Sequence, residues 1–424
     1  MPASSEPSSR SSERPVAIVT PSLAGQGAER KALYIAAGLL ERGHGVDLLL
    51  HRMLCHYPEE VPEGVRIFFV SGRGDERTRS ALDRVPVIPR PLVPDPLPRR
   101  VRYPRLAAAG RLPRRQLALL ASSRLPRWAA SIAGYMDRER PRALLAMNVL
   151  ATAAAAMASN LARQQARTVA TLHEPLRRRQ LDRARRSYPW ADAVVGVSRG
   201  VTGEFAKIPG LASGSVHTVY NPIFAEFIVR KSLEPVDHPW LDRTGTPLVV
   251  AIGKLIERKG FATLLHAFAR LLARRRARMI VLGEGRLRSS LVSLADRLGV
   301  ARQVDFPGFV ENPYAFLAKA DLFVLSSRNE ALPTALIEAM VCGCPVVSTD
   351  CDFGPREILE GGRHGPLVPV GDPDALAAAM LAVLDEPQRH EALRDRAGFF
   401  DAARAVDRYE ELLLGPAGAA ARPA

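Results

Sequence analysis

A chain of 424 residues exceeds what one ordinary hydrophobic core supports, so two domains are expected. Hydrophobic residues make up 47% and charged residues 24%, the balance of a soluble globular chain, and four cysteines (Cys55, Cys342, Cys344, Cys351) are no disulfide framework. The formal net charge of +15 favours an anionic partner (lipid, phosphate-bearing substrate or nucleic acid), unless it only reflects a composition rich in Ala and Arg throughout.

Met1–Arg14 is rich in Ser, Pro, Glu and Arg without an apolar run, and reads as a disordered arm, not a signal peptide. With no secretory signal, the cysteines fit a reducing compartment. PVAIVT (Pro15–Thr20), a loop holding Gly25 and Gly27, the helix ALYIAAGLLERG and the strand VDLLL form the β–loop–α–β opening of a doubly wound α/β domain. VRIFFV is a further strand. From Arg73 to about Arg127 arginine is dense and prolines recur. Two readings of this stretch stay open: Tyr103 and Trp128 interleaved with basic residues on an anionic membrane surface, or a solvated Arg-rich face. Ala143–Ala162 is twenty residues without a charge, the length of a membrane span, but it is mostly alanine with Asn148, Thr152, Ser159 and Asn160. It reads as a strand, a turn at Asn148 and a helix. RTVATLHEP is a strand running into a loop at His173, where open α/β sheets place ligands, although a lone His is more often structural. RRRQLDRARR is a basic helix, for phosphate or headgroups or simply for solvent. ADAVVGVSRGVTGEF is a strand followed by a helix from Ser198, and the Pro-rich stretch Phe224–Thr246 is a linker.

The second half alternates again: PLVVAIGK, LIERKG, FATLLHAFARLLARRR, ARMIVLGEG, LRSSLVSLADRLGV, QVDFPGFV, NPYAFLAKA. Then comes DLFVLSS, a strand, whose exit loop carries Glu330. A helix with Glu338 and the buried strand CPVVST follow. A strand, a tight loop and a helix N-terminus make an anion cradle, because the first N–H groups of a helix lack internal partners. The spacing lets Glu330 and Glu338 face one cleft.

Leu325–Leu359 closely resembles the donor-site signature of the retaining GT-B glycosyltransferases of family 4: Glu, seven residues, Glu, then a small-residue helix and a strand. The resemblance implies that Glu330 holds hydroxyls of the donor sugar and Glu338 the ribose, with backbone near Leu332 and Thr334 at the diphosphate. VVAIGKLIERKGF resembles the family's phosphate-binding stretch, which gives that role to Lys254 and Lys259. The opening unit, with Gly25 and Gly27, resembles the first-domain loop. The order Thr-Leu-His-Glu-Pro resembles the active-site loop, so that His173 approaches the reacting side. Three departures stand out: Ala331 where Gly is usual, Lys254 where Arg is usual, and Gln26 in place of a glycine.

The implied fold is α/β, two Rossmann-like doubly wound parallel-sheet domains across a cleft, with the C-terminal helix crossing back to the first. The corresponding division is a tail 1–14, an acceptor domain 15–222, a linker 223–246, a donor domain 247–398, the returning helix 399–415 and a tail 416–424. The implied activity is metal-independent, cofactor-free, retaining transfer of a hexose or N-acetylhexosamine from a UDP-sugar. The acceptor is a lipid-linked or polysaccharide hydroxyl, in cell-surface polysaccharide or lipopolysaccharide assembly. The setting is cytoplasmic, peripheral on the inner membrane's anionic face, with no nucleic acid. Two alternatives remain: a nucleotide-sugar 2-epimerase of the same fold, or a non-catalytic nucleotide-sugar or nucleic-acid-binding protein. A metal cluster at Cys342, Cys344, Cys351 and His364 fits no zinc spacing, and no nucleophile elbow, P-loop or dinucleotide fingerprint is present.

Overall fold

The structure is a computed structural model and describes residues 14–23, 28–52, 54–55, 58–69, 87–88, 125–176, 178–241, 245–388 and 390–415. Gly25, Gly27, Tyr103, most of the Arg73–Arg127 stretch and nearly all of both tails lie outside the described residues.

The apolar runs form two all-parallel sheets. The first contains β1 (Val16–Thr20), β2 (Val46–Leu50), β3 (Arg66–Phe69), β4 (Val87–Ile88), β5 (Ala143–Ala146), β6 (Arg167–Leu172), β7 (Ala193–Gly196) and β8 (Val216–Thr218), ordered β4-β3-β2-β1-β5-β6-β7-β8. The second contains β9 (Leu248–Ile252), β10 (Arg278–Leu282), β11 (Val304–Gly308), β12 (Leu322–Leu325), β13 (Val346–Thr349) and β14 (Leu367–Val368), ordered β11-β10-β9-β12-β13-β14. Helices cover both faces, so β1, β2, β5 and β7 are buried at every position, which is why they read as unbroken apolar runs instead of alternating ones. Each sheet reverses its strand order once, between β1 and β5 and between β9 and β12. Ligands of open α/β sheets bind beyond the strand ends at such switch points.

The uncharged stretch folds as its polar residues require. After β5, Asn148 caps the helix Val149–Leu161, its side-chain oxygen accepting from the amides of Leu150 and Ala151 at 3.0 and 2.9 Å. No helix among the described residues is long and apolar enough to cross a membrane. The surface reading of Trp128 is overturned. Trp128 is 1% exposed, on the inner face of the helix Leu125–Glu139 with Leu125, Ile132 and Met136, so burial of a large ring outweighs the basic neighbours. The four cysteines are free and buried.

The segment expected as a linker holds the helix Ala225–Ser232, with Ile228 in the core. The chain crosses between domains twice, side by side. Ile223 pairs with Asp401, Ile223 N–H donates to the Phe400 carbonyl (3.1 Å) and Ala402 N–H to the Ile223 carbonyl (3.0 Å). The last helix, Ala402–Leu414, then lies on the first domain. Ala405, Val406, Tyr409, Leu412 and Leu413 join the buried cluster around β1 and β2, and Arg167 Nε donates to the Leu412 carbonyl (2.6 Å) near the helix end.

Candidate active site

Two loops flank the second switch point: 253–260 after β9, and 326–333 after β12. Gly260, at φ +67°, lets them touch, since a Cβ there would stand 2.0 Å from the Ser326 carbonyl oxygen. Arg328 N–H donates to the Arg258 carbonyl (2.7 Å) and Ser326 Oγ to the Lys259 carbonyl (2.9 Å). Lys259 Nζ thereby reaches Glu330 Oε1 at 2.6 Å, and Ser327 Oγ donates to the same oxygen at 2.7 Å. Arg258 Nη1 stands 3.4 Å from Glu330 Oε2, a long contact that leaves this oxygen acceptor capacity. Glu330 is 5% exposed, so these cations are what make a carboxylate tolerable there.

The helix Thr334–Val341 begins at Pro333 without a side-chain cap. Glu338 stands one turn beyond Thr334. Burial pushes its pKa up, and Arg30, Lys31, Thr334 and Lys259 pull it back. From the first domain, the helix Ala28–Glu41 contributes Arg30, which holds Glu60 through Nε (2.7 Å) and Nη2 (2.5 Å). It also contributes Lys31, whose pKa burial lowers to about 8 against the pull of Glu338 and Glu330.

His173 follows β6. Thr171 Oγ1 donates its proton to the Ala146 carbonyl (3.1 Å), so the 2.8 Å contact between Thr171 Oγ1 and His173 Nε2 is an N–H donated by the imidazole. That leaves Nδ1 as a bare acceptor. Burial first, then Lys31, lowers the His173 pKa to about 3, so the ring is neutral at physiological pH. Asn221 lies close enough to pull the other way. His173 Nδ1 and Asn221 Oδ1 are each buried without a hydrogen-bond partner.

His173, Lys254, Lys259, Glu330, Leu332, Thr334 and Glu338 all line one interdomain cleft of about 1470 Å³, beyond the roughly 300–1,000 Å³ of a single-ligand pocket. Lys254 is exposed at its mouth. Three residues lining the cleft were missed in the sequence: Arg258, Lys31 and Tyr314. Only Arg258 carried a local signal, as the neighbour of Lys259 in a turn ending at glycine. Among the described residues no three His, Cys, Asp or Glu side chains gather as metal ligands. The sequence contains two Asp-x-Asp pairs. Of these, Asp350 pairs with Arg356 and Asp372 caps the helix Pro373–Asp385.

The family model described as Glycosyl transferases group 1 matches residues 246–386, and that described as Glycosyltransferase Family 4 matches residues 25–227. A Campylobacter jejuni relative, N-acetylgalactosamine-N,N'-diacetylbacillosaminyl-diphospho-undecaprenol 4-alpha-N-acetylgalactosaminyltransferase, is 29% identical over 54% of this chain and 61% of its own length. The lipopolysaccharide core biosynthesis glycosyltransferase LpsE of Rhizobium meliloti is 35% identical over 42% of this chain and 53% of its own. The chain thus aligns with only about half to three-fifths of these curated relatives' lengths. Among solved structures, the Anabaena protein HepE in complex with UDP and glucose superposes with a TM-score of 0.68 at 19% identity, over 95% of this chain and 99% of that one. The lipopolysaccharide outer core galactosyltransferase WaaB does so at 0.65 and 17%, over 94% and 98%. Two family models in tandem, on two switch-point sheets joined as in these structures, lead to one assignment: the chain belongs to the family 4 (group 1) glycosyltransferases of the GT-B fold.

Proposed function

We propose that the chain is a retaining hexosyltransferase, moving a hexose or N-acetylhexosamine from a UDP-sugar to a hydroxyl of a lipid-linked or polysaccharide acceptor with an α linkage. The observation that carries this reading is the Lys259–Glu330–Arg258 cluster beside Glu338 at the second switch point. Cleaving the sugar–phosphate bond loads negative charge on the departing diphosphate. Lys254, Lys259, Arg258 and the uncapped amides of Thr334 and Ala335 are arranged to meet it. Glu330 Oε2 has room for a sugar hydroxyl, and Glu338 is set to bind the ribose diol. His173 Nδ1, a buried acceptor lining the cleft, is suited to a sugar or acceptor hydroxyl.

UDP in the HepE complex supports the choice of nucleotide, and the α linkage and diphospho-undecaprenol in the Campylobacter relative's name support the linkage and acceptor class. LpsE and WaaB support a setting in lipopolysaccharide or polysaccharide assembly. The reaction is read as metal-independent, so turnover should survive a chelator. Peripheral association with an anionic cytoplasmic membrane face is part of the reading. The helix Arg178–Ser187, with Arg183, Arg185 and Arg186, supports it. Sedimentation with anionic vesicles should then fall at high salt.

The deciding experiment is a thermal-shift panel of nucleotide sugars, followed by transfer and hydrolysis assays with NMR of the product anomer. Stabilisation by UDP-sugars and an α-linked product are expected. No response to any nucleotide sugar overturns the reading, and acceptor-independent conversion of the donor sugar favours the 2-epimerase.

A further inference from the structure

After β13 the chain runs back beneath the loop that carries Glu330. Asn329 and Asp352 pair as an isolated parallel bridge, and the Glu330 amide donates to the Asp352 carbonyl at 3.3 Å. Gly354 sits at φ +65°. A Cβ there would stand 2.5 Å from Pro333 Cδ and 3.0 Å from both the Ala331 carbonyl oxygen and Leu332 Cα. Residues 352–354 are therefore moulded to the backbone of residues 329–333.

The same segment reaches the first domain. Phe353 sits at φ +64°, an uncommon conformation for a residue with a side chain, and its ring covers Gly200, where a Cβ would stand 2.0 Å from Phe353 Cδ1. Glu357, in the short helix Pro355–Ile358, accepts from the amides of Arg199 and Gly200 at 2.9 Å each, and from the Tyr220 hydroxyl at 3.0 Å. Arg199 and Gly200 follow β7, and Tyr220 precedes the crossover at Ile223. From behind, Arg396 donates to the carbonyls of Glu357 (2.7 Å) and Ile358 (2.9 Å), and its guanidinium lies over Phe399 and Phe400 at 4.7 and 5.0 Å, next to the second crossover.

The geometry points to Glu357 as a positioning residue that, with Phe353, ties the seating of the donor loop Asn329–Pro333 to the orientation of the first domain. Glu357 is not among the residues lining the cleft, so it acts through that loop. A carboxylate taking two backbone N–H groups fixes the contact in one register. Rotation of the first domain about the paired crossovers then moves residues 352–354, and the loop moulded to them moves too. The backbone strain at Phe353 fits a residue held from both sides. The kinetic consequence rests on the nucleotide-sugar reading of the cleft, while the mechanical one does not.

Glu357→Gln keeps the shape but turns an amide N–H₂ toward one of two backbone donors. In that variant kcat should fall about tenfold or more while UDP affinity falls by less, because the displaced loop carries Glu330 toward the sugar whereas Lys254 and Lys259 lie outside it. Glu357→Asp, with both acceptors on a shorter arm, should recover part of kcat, and Arg356→Ala should match wild type. Hydrogen exchange without nucleotide should quicken at 199–203, where Glu357 accepts from two amides, and also at 329–338, beyond its hydrogen bonds to Arg199, Gly200 and Tyr220. Gly200→Ala, pushing on Phe353 from the other domain, should reproduce the change at 329–338 and decides the matter should Glu357→Gln not fold. Faster exchange at 199–203 alone, or unchanged exchange at 329–338 in both variants, overturns the proposal. A wild-type protein without nucleotide-sugar binding defeats the glycosyltransferase reading instead, and the exchange arm still decides Glu357.

Discussion

On the second-domain wall of the cleft, Glu330 is enclosed by Lys259, Arg258 and Ser327, and a close turn at Gly260 fixes both loops. On the first-domain wall, His173 Nδ1 is buried without a donor, and Lys31 sits with its pKa lowered to about 8. The donor wall pairs the charge of Glu330 before any substrate arrives. The opposite wall leaves a buried acceptor, His173 Nδ1, without a hydrogen bond. Preorganisation belongs where charge develops in the transition state, and unsatisfied acceptors belong where a hydroxyl is to be recognised.

The comparison breaks most easily at Lys259. Lys259→Ala should lower turnover by about 10²–10³-fold, the loss typical of a preorganised charge-stabilising donor. It should also cost roughly 3–5 kcal/mol in chemical denaturation, because a buried carboxylate loses its partner. The pair Lys259→Met with Glu330→Gln should regain most of the stability and none of the activity, and a stable, active double variant would remove the cluster from the mechanism.

His173 is next. Its folded pKa of about 3 lies below the ordinary 6.5, so the unfolded chain binds the proton more readily between these values. Its contribution to stability is complete above about pH 6.5 and is lost as pH falls toward 3. His173→Gln should flatten that acid loss by an amount on the order of a few kcal/mol, measured by denaturation at stepped pH. The activity profile of the wild type should show no His173 inflection between pH 5 and 8.

Glu338→Gln should make the protein more stable at neutral pH while weakening nucleotide binding. Burial raises the Glu338 pKa, so the ionised form costs stability once pH exceeds the raised value. The advantage of Gln should fade as pH falls toward the ordinary carboxylate range, where both side chains are neutral. Smallest is the effect of Lys31: UDP affinity should decline above about pH 8 in wild type as that cation is lost, and Lys31→Met should lack the decline.

How much of this was legible followed from locality. Glu330, Glu338, Lys254 and Lys259 sit in short strand–loop–helix units whose motifs carry the family 4 resemblance, and the sheet brings both units to one end. Lys31 reaches the same cleft through the first helix, and no spacing in the chain connects it to Glu338. Trp128 misled for another reason. Its basic neighbours suggested a surface, but Leu125, Trp128, Ile132 and Met136 recur at helical intervals and form a buried stripe. The role of Glu357 depends on a contact between domains that neither half of the sequence displays alone.

In the proposed reading the helix Thr334–Val341 of the second domain holds a nucleotide through Glu338. Calorimetric titration of UDP into wild type and Glu338→Ala tests it most directly. Saturable binding to the wild type is expected, with at least about a tenfold loss in the variant, the 1.4 kcal/mol or more lost on removing a hydrogen bond to a charged group. Equal affinity in the two proteins would contradict it.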